Sequence, residues 1–226
     1  MSFKILYVTA TSAEADTIKK INDLILFPDG YHLRDIEISQ LITGVGSIST
    51  AWAIKQWLSM NEKPDLAING GIAGSFRDEY GTGDVVMPVT DRFADAGIED
   101  GNNFLTLAEA GLAGTNEFPF RNGSLNADKK YFDIMNSLVR PVNAITVNTA
   151  TGTETTRNKL VQKFNPDIET MEGATFFYIC SRENIPFMAL RAISNMVGPR
   201  DKSKWKILLA LDNLSYKLNE IILKLE

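Results

Sequence analysis

Five short apolar runs constrain this chain most. FKILYVT (3–9), DLAING (65–70), DVVMPV (84–89), AITVNT (144–149) and FMALRAIS (187–194) carry apolar residues at consecutive positions, not at every second one. A strand that is apolar on both faces has to be covered on both, so such runs belong inside a sheet flanked by helices. Helical spacing separates them: 12–26 places Ile18, Ile21 and Ile25 on one face, and further helices are expected at 47–60, near 154–164 and from about 172 to 183. A closing helix over roughly 203–225 would align Trp205, Leu208, Leu211, Leu218, Ile222 and Leu225. With a strand pair at 32–43, this alternation predicts an α/β fold whose central, mostly parallel sheet is sandwiched by helices. At 226 residues the chain suits one domain, 1–226.

Composition removes several function classes. Charges interrupt every apolar run well before the ~18 residues that a membrane span needs, and a net charge of −5 argues against nucleic acid as a partner. The start, MSFKILYVTATSAEAD, enters a strand at once without a basic and apolar leader, which reads as cytoplasmic. The one cysteine, Cys180, falls in the apolar helical pattern ATFFYIC and reads as a small buried hydrophobe. The one histidine, His32, sits in a predicted edge strand after a PDG turn and cannot build a His-rich metal cluster. Any catalysis here falls to carboxylates and amides, with no metal or organic cofactor expected and small molecules as the partners.

In sheets of this kind ligands bind at the carboxyl ends of the strands, and the unusual residues of the chain stand there. NGGIAGS (69–75) is a Gly-rich loop that lets backbone approach a flat ligand, although it is neither a phosphate-binding P-loop nor a dinucleotide fingerprint. TATSAEAD (9–16) reads as a helix start, capped by Thr11 or Ser12, with Glu14 in the first turn. In ETMEGATFF (169–177), Glu172 opens an otherwise uncharged helix; a carboxylate there has to be hydrogen-bonded or paired, and two vicinal hydroxyls would serve. Last, ALRAISNMVGPRD (189–201) ends a buried strand on Asn195, either as a cap of the following loop or as a ligand group.

Together these motifs resemble the purine nucleoside phosphorylase and nucleosidase superfamily, nearest to methylthioadenosine/adenosylhomocysteine nucleosidases and, within that neighbourhood, to futalosine hydrolases. ADAGIEDGNNFLTLAEAGL (94–112) and RAISNMVGPRDKSKW (191–205) carry the last resemblance. It implies a three-layer α/β/α sandwich with a mixed central sheet, homo-oligomers in which a neighbour closes the 5′ pocket, and hydrolysis of an N-glycosidic bond in menaquinone biosynthesis. By the match, Glu14 would position or deprotonate the attacking water, Glu172 would bind the ribose hydroxyls with Met171 packed on the sugar, and Ala73 and Gly74 would lie along the base. Phosphorylases of the superfamily hold phosphate with an Arg and a Ser where this chain has Asn69 and Ile72, so water is the expected nucleophile. Asn195 replaces the Asp of the adenine-specific nucleosidases, and its amide, one donor beside one acceptor, suits a 6-oxopurine. Futalosine, an inosine extended at the 5′ position to a benzoate, is the implied substrate. Arg200 would meet its carboxylate, unless it is locked to Asp201, and Phe93 or Phe104 its ring. The alternatives are a methylthioadenosine/adenosylhomocysteine nucleosidase, a nucleoside phosphorylase, and a non-catalytic nucleoside sensor.

Overall fold

A computed structural model describes residues 2–28, 30–101 and 103–225. The elements run β1 (Phe3–Thr9), α1 (Ser12–Ala15), β2 (Ile25–Phe27), β3 (Gly30–Leu33), β4 (Ile36–Ile42), α2 (Ser47–Met60), β5 (Leu66–Ser75), β6 (Val85–Asp91), β7 (Gly97–Asp100) and β8 (Asn103–Thr106). They continue with β9 (Leu125–Asn126), α3 (Phe132–Asn136), β10 (Arg140–Thr146), α4 (Glu154–Phe164), β11 (Ile168–Thr170), α5 (Gly173–Glu183), β12 (Phe187–Met196) and α6 (Ile207–Ile222). The main sheet has the order β11-β10-β6-β12-β5-β1-β4-β3-β2, with β9 on β6 and β7-β8 as a separate hairpin. The pairings β1–β4, β1–β5, β5–β12, β6–β10 and β10–β11 are parallel, whereas β6–β12, β5–β11 and the β2–β3–β4 edge are antiparallel. The sheet is therefore mixed, as the resemblance implied.

The two layers of helix follow from strands apolar on both faces. On one face Ile5, Tyr7, Leu66, Ile68 and Leu190 meet Leu214, Leu218 and Ile222 of α6. On the other Leu6, Val8, Ala67 and Ala189 meet Ile54 of α2 and Phe176, Phe177 and Cys180 of α5. Because β11 pairs with both β10 and β5, half of the sheet closes on itself. That closed half encloses a third cluster of Ala73, Val86, Val142, Ala144, Ile168 and Ile193.

Three local expectations need correction. The helix over 12–26 stops after four residues and tightens into a 3-10 turn at Asp16–Lys20. The reason is local: Thr17 Oγ1 donates to Glu14 O at 2.6 Å, taking the carbonyl that the next helical N–H would use. Ile25 then leaves in the exposed strand β2. The closing helix begins only at Ile207, and its buried stripe is Ala210, Leu214, Leu218, Ile221 and Ile222, so Leu208 faces solvent. The Gly-rich stretch 69–75 is not a loop; it is the second half of β5, paired in register with β12. His32 does lie near the sheet edge, in β3, with its ring against Phe27; Asp29 of the expected PDG turn falls outside the described residues. Among the described residues, no helix is long and apolar enough to cross a membrane.

Candidate active site

The first turn of α1 builds Glu14 into the protein. Thr11 is the N-cap and Glu14 the third helical residue: Glu14 N donates to Thr11 Oγ1, and Thr11 N donates back to Glu14 Oε2 at 3.0 Å, completing a capping box. Thr11 Oγ1 also donates to Oε2, at 2.8 Å. The other carboxylate oxygen, Oε1, accepts from Ile72 N at 3.0 Å and so ties the helix to β5. A Cβ on Gly71 would fall 2.9 Å from that oxygen and 3.8 Å from Arg191 Nε. Only glycine leaves the niche in which this carboxylate and this guanidinium converge.

Arg191, 2% exposed, lies in the middle of β12. Its Nη1 donates to Asn69 O (2.8 Å) and Leu190 O (2.9 Å), and its Nη2 to Asn69 Oδ1. Asn69 in turn donates from Nδ2 to Val8 O at 2.9 Å. A buried guanidinium needs such acceptors to offset lost hydration, and committing both terminal nitrogens leaves Nε toward Gly71. Sequence reasoning missed Arg191. The available signal was a single charge inside the apolar run FMALRAIS, which has to be buried and paired if the run is an inner strand.

Glu172 stands at the N-cap position of α5 but does not cap with its side chain. Its Oε1 instead accepts from Gly46 N, just ahead of α2, at 2.8 Å. Burial raises its carboxyl above the ordinary carboxylate range, opposed by the Gly46 N–H and the Arg191 charge and assisted by the negative charge of Glu14. Glu14, Glu172 and Arg191 thus form one electrostatic group drawn from α1, the start of α5, and β12.

Asn195 enters through a bulge. In the β5–β12 register Ile193 faces Ala73 while Asn195 faces Gly74, so Ser194 is the extra residue. The insertion re-aims the strand end and brings the amide opposite the glycine. Ser194 Oγ donates to Asn195 Oδ1 at 2.7 Å, closer than its other acceptor, Ala73 O, at 3.2 Å. Asn195 Nδ2 donates to Met196 O at 3.0 Å. Each end of the amide keeps one unused hydrogen-bonding position.

The other sequence candidates divide. Met171 is half-buried next to Glu172. Ala73 turns its methyl into the closed half of the sheet and offers only backbone. Phe93 lies opposite Thr146, which donates from its N to Arg92 O (2.7 Å) and accepts at its O from Ala94 N (2.9 Å), and it borders a hollow whose wall also includes Ser47. It also borders a second cavity, of about 340 Å³, whose wall includes Arg92, Phe120 and Phe164. Phe104 packs on Phe164, with ring centroids 6.3 Å apart. Arg200 does not join the group: it is exposed, its guanidinium 5.6 Å from the Trp205 ring, and Asp201 is engaged by Ser203 and Lys204, not by Arg200. Glu169, the first carboxylate of ETMEG, holds Thr151 N (2.9 Å) and the Thr151 hydroxyl, and so shapes the neighbouring 148–152 loop.

A family model described as the phosphorylase superfamily matches residues 4–224. The futalosine hydrolase of Streptomyces coelicolor is 29% identical over 240 residues, covering 98% of this chain and 96% of its own. That of Acidothermus cellulolyticus is 31% identical over 226 residues, covering 96% of this chain and 89% of its own. Among solved structures, the native futalosine hydrolase of Helicobacter pylori superposes with a TM-score of 0.81 at 13% identity, covering 99% of both chains. The Helicobacter pylori 5′-methylthioadenosine/S-adenosylhomocysteine nucleosidase with butyl-thio-DADMe-Immucillin-A gives a TM-score of 0.80, also at 13% identity over 99% of both chains. At that identity the two structures bear on the fold alone. The sequence match over almost the whole length, on a sheet with this order of strands, makes the chain a member of the phosphorylase superfamily.

Proposed function

We propose that this chain is a single-domain nucleosidase that hydrolyses the N-glycosidic bond of a 6-oxopurine nucleoside, futalosine, to hypoxanthine and dehypoxanthine futalosine. The observation that carries this reading is the grouping of two carboxylates, Glu14 and Glu172, with Arg191, together with the β12 bulge that presents Asn195. The Glu14–Arg191 niche sits at Gly71 and the Asn195 amide at Gly74.

Glycosidic cleavage makes the ribose cationic as the C1′–N9 electrons pass into the base. Glu14 orients water toward C1′ and takes its proton, which a carboxylate fixed on three hydrogen bonds does without reorganising. Glu172 accepts from the 2′ and 3′ hydroxyls, with Met171 against the sugar. The two carboxylates stabilise the developing positive charge, while Arg191 offsets part of their mutual repulsion. At the base, N7 takes a proton from solvent as the C1′–N9 bond breaks, the free lone pair of Asn195 Oδ1 accepts a hydrogen bond from the resulting N7–H, and the second Nδ2 hydrogen meets O6. Adenine would set its 6-amino group against that donor, and a mispaired buried polar group is costly.

Phosphorolysis is disfavoured by the same geometry. Ile72 offers phosphate no side-chain donor, and Glu14 and Glu172 would repel the anion. For the 5′ arm, Arg92 beside Phe93 and Phe120 is a better partner for an aromatic carboxylate than Arg200. The exposed apolar row of Val45, Ile48 and Trp52, starting one residue before Gly46, supports a homodimer closing over the site, which sedimentation equilibrium tests.

The test is direct. The protein is incubated with futalosine, inosine, methylthioadenosine and adenosylhomocysteine, with and without phosphate, and the released base is measured. Hypoxanthine release from futalosine without phosphate is the expected result. Phosphate-dependent release, faster adenine release, or tight nucleoside binding without turnover would each replace this reading with one of its rivals.

A further inference from the structure

Asp91, the last residue of β6, is fully buried yet absent from the mechanism above. Its Oδ1 accepts from Arg92 N at 2.8 Å and from Thr146 Oγ1 at 3.0 Å. Its Oδ2 has no hydrogen-bond partner among the described residues. That oxygen is aimed at the first residue of α5, where it lies 2.2 Å from the position a Cβ on Gly173 would occupy. Any larger residue at 173 would displace the carboxylate.

The helix start above Asp91 lacks the usual cap. Glu172 occupies the N-cap position, but its side chain is turned to Gly46 N. The first two N–H groups of α5 are taken by threonines of neighbouring strands: Gly173 N donates to Thr170 Oγ1 (3.2 Å), and Ala174 N to Thr146 Oγ1 (2.8 Å). The two hydroxyls are 3.1 Å apart. An ionised carboxylate only accepts, so Thr146 gives its single proton to Asp91 and Thr170 gives its own to Thr146. The relay thus runs from Thr170 through Thr146 to Asp91, and it orients both hydroxyl oxygens toward the helix N–H groups.

We propose that Asp91 is a positioning residue of the active site: through Thr146 and Thr170 it caps α5 in place of Glu172, leaving the Glu172 carboxylate free for the two ribose hydroxyls. This rests on the nucleosidase reading for its functional half and on geometry alone for its structural half. The charged groups that bear on Asp91 are Arg191 from β12 and Glu172 at the start of α5, with Arg92 adjacent in the chain.

The experiment compares Asp91→Ala, Thr146→Val and Asp91→Asn in the full-length chain, on a riboside and on its 2′,3′-dideoxy analogue, with amide hydrogen exchange read at 173–175. Loss of the cap in Asp91→Ala or Thr146→Val should lower kcat/KM on the riboside about tenfold and on the dideoxy analogue less than about twofold. Asp91→Asn keeps an acceptor for Thr146 and should restore most of the riboside activity. Exchange at the start of α5 should accelerate about tenfold in the first two variants, with the remaining helix protected. Equal losses on both substrates, or unchanged exchange at 173–175, would overturn the inference. If wild type cleaves no nucleoside, the functional reading fails separately, and the exchange data still decide whether Asp91 caps the helix.

Discussion

Glu14 and Glu172 both stand at the start of a helix, and the two helices treat them in opposite ways. In α1 the carboxylate is part of the cap: Thr11 N, Thr11 Oγ1 and Ile72 N hold both of its oxygens. In α5 the carboxylate is released from capping, which Thr170 and Thr146 perform over Asp91, and it accepts from Gly46 N instead. The first arrangement suits a group that must orient one small nucleophile without moving. The second suits a group that must exchange partners when two substrate hydroxyls arrive. A helix start is thus a device for fixing a carboxylate or for presenting one, depending on who satisfies its first N–H groups.

Charge removal tests the two most strongly. Glu14→Gln removes the base and should lower kcat about 10³-fold, while Glu172→Gln should act on kcat/KM and lose most of its effect on a substrate without ribose hydroxyls. Similar losses for both variants on both substrates, in a base-release assay, would mean that the two carboxylates do not divide the work.

The base end comes next. Asn195→Asp should cost about 10²-fold on futalosine while raising turnover of adenine nucleosides, read as the ratio of hypoxanthine to adenine released. An unchanged ratio would remove Asn195 from substrate choice.

Thr11→Val leaves Glu14 chemically intact but removes its cap partner. It should cost about 1 kcal/mol in stability by thermal unfolding, together with about a tenfold loss in kcat. Full activity would show that Glu14 does not depend on the capping box for its position.

The smallest expected effect is a pH dependence. Burial pushes the Asp91 carboxyl up to about 7, against the pull of the Thr146 hydroxyl and the Arg191 charge. The unfolded chain ionises there at about 4, so this group's share of stability is complete below that pH and is lost as pH rises toward the folded value. Asp91→Asn should therefore raise the melting temperature a little at pH 8, with the gain vanishing toward pH 4. A constant offset at both would show that the carboxyl does not titrate in the folded protein.

Much of this was legible in the sequence, for identifiable reasons. Glu14 could be read as a helix-start acid or as a catalytic group, and the capping box bears out the first reading while holding the carboxylate where the second would need it. Glu172 and Asn195 stood out because polar groups interrupt apolar runs at strand and helix ends. Asp91 did not: in VTDRF it looks like an ordinary charged strand end, and nothing local says that α5 will cover it. The glycines of 69–75 suggested a loop lying against a flat ligand, whereas they are part of β5 and leave room for Glu14 and Asn195, which arrive from 55 or more residues away along the chain.

Local periodicity and spacing by themselves determined the order of the main strands and helices, the need for two helix layers, and which residues were candidates for chemistry. These properties depend on neighbours within a few positions. Only the tertiary structure decided the closure of β11 onto β5, the burial of Arg191 and Asp91, and the register that sets Asn195 opposite Gly74. Each of those depends on which strands become neighbours, and burial between them is what makes an ordinary Arg or Asp depend on specific partners.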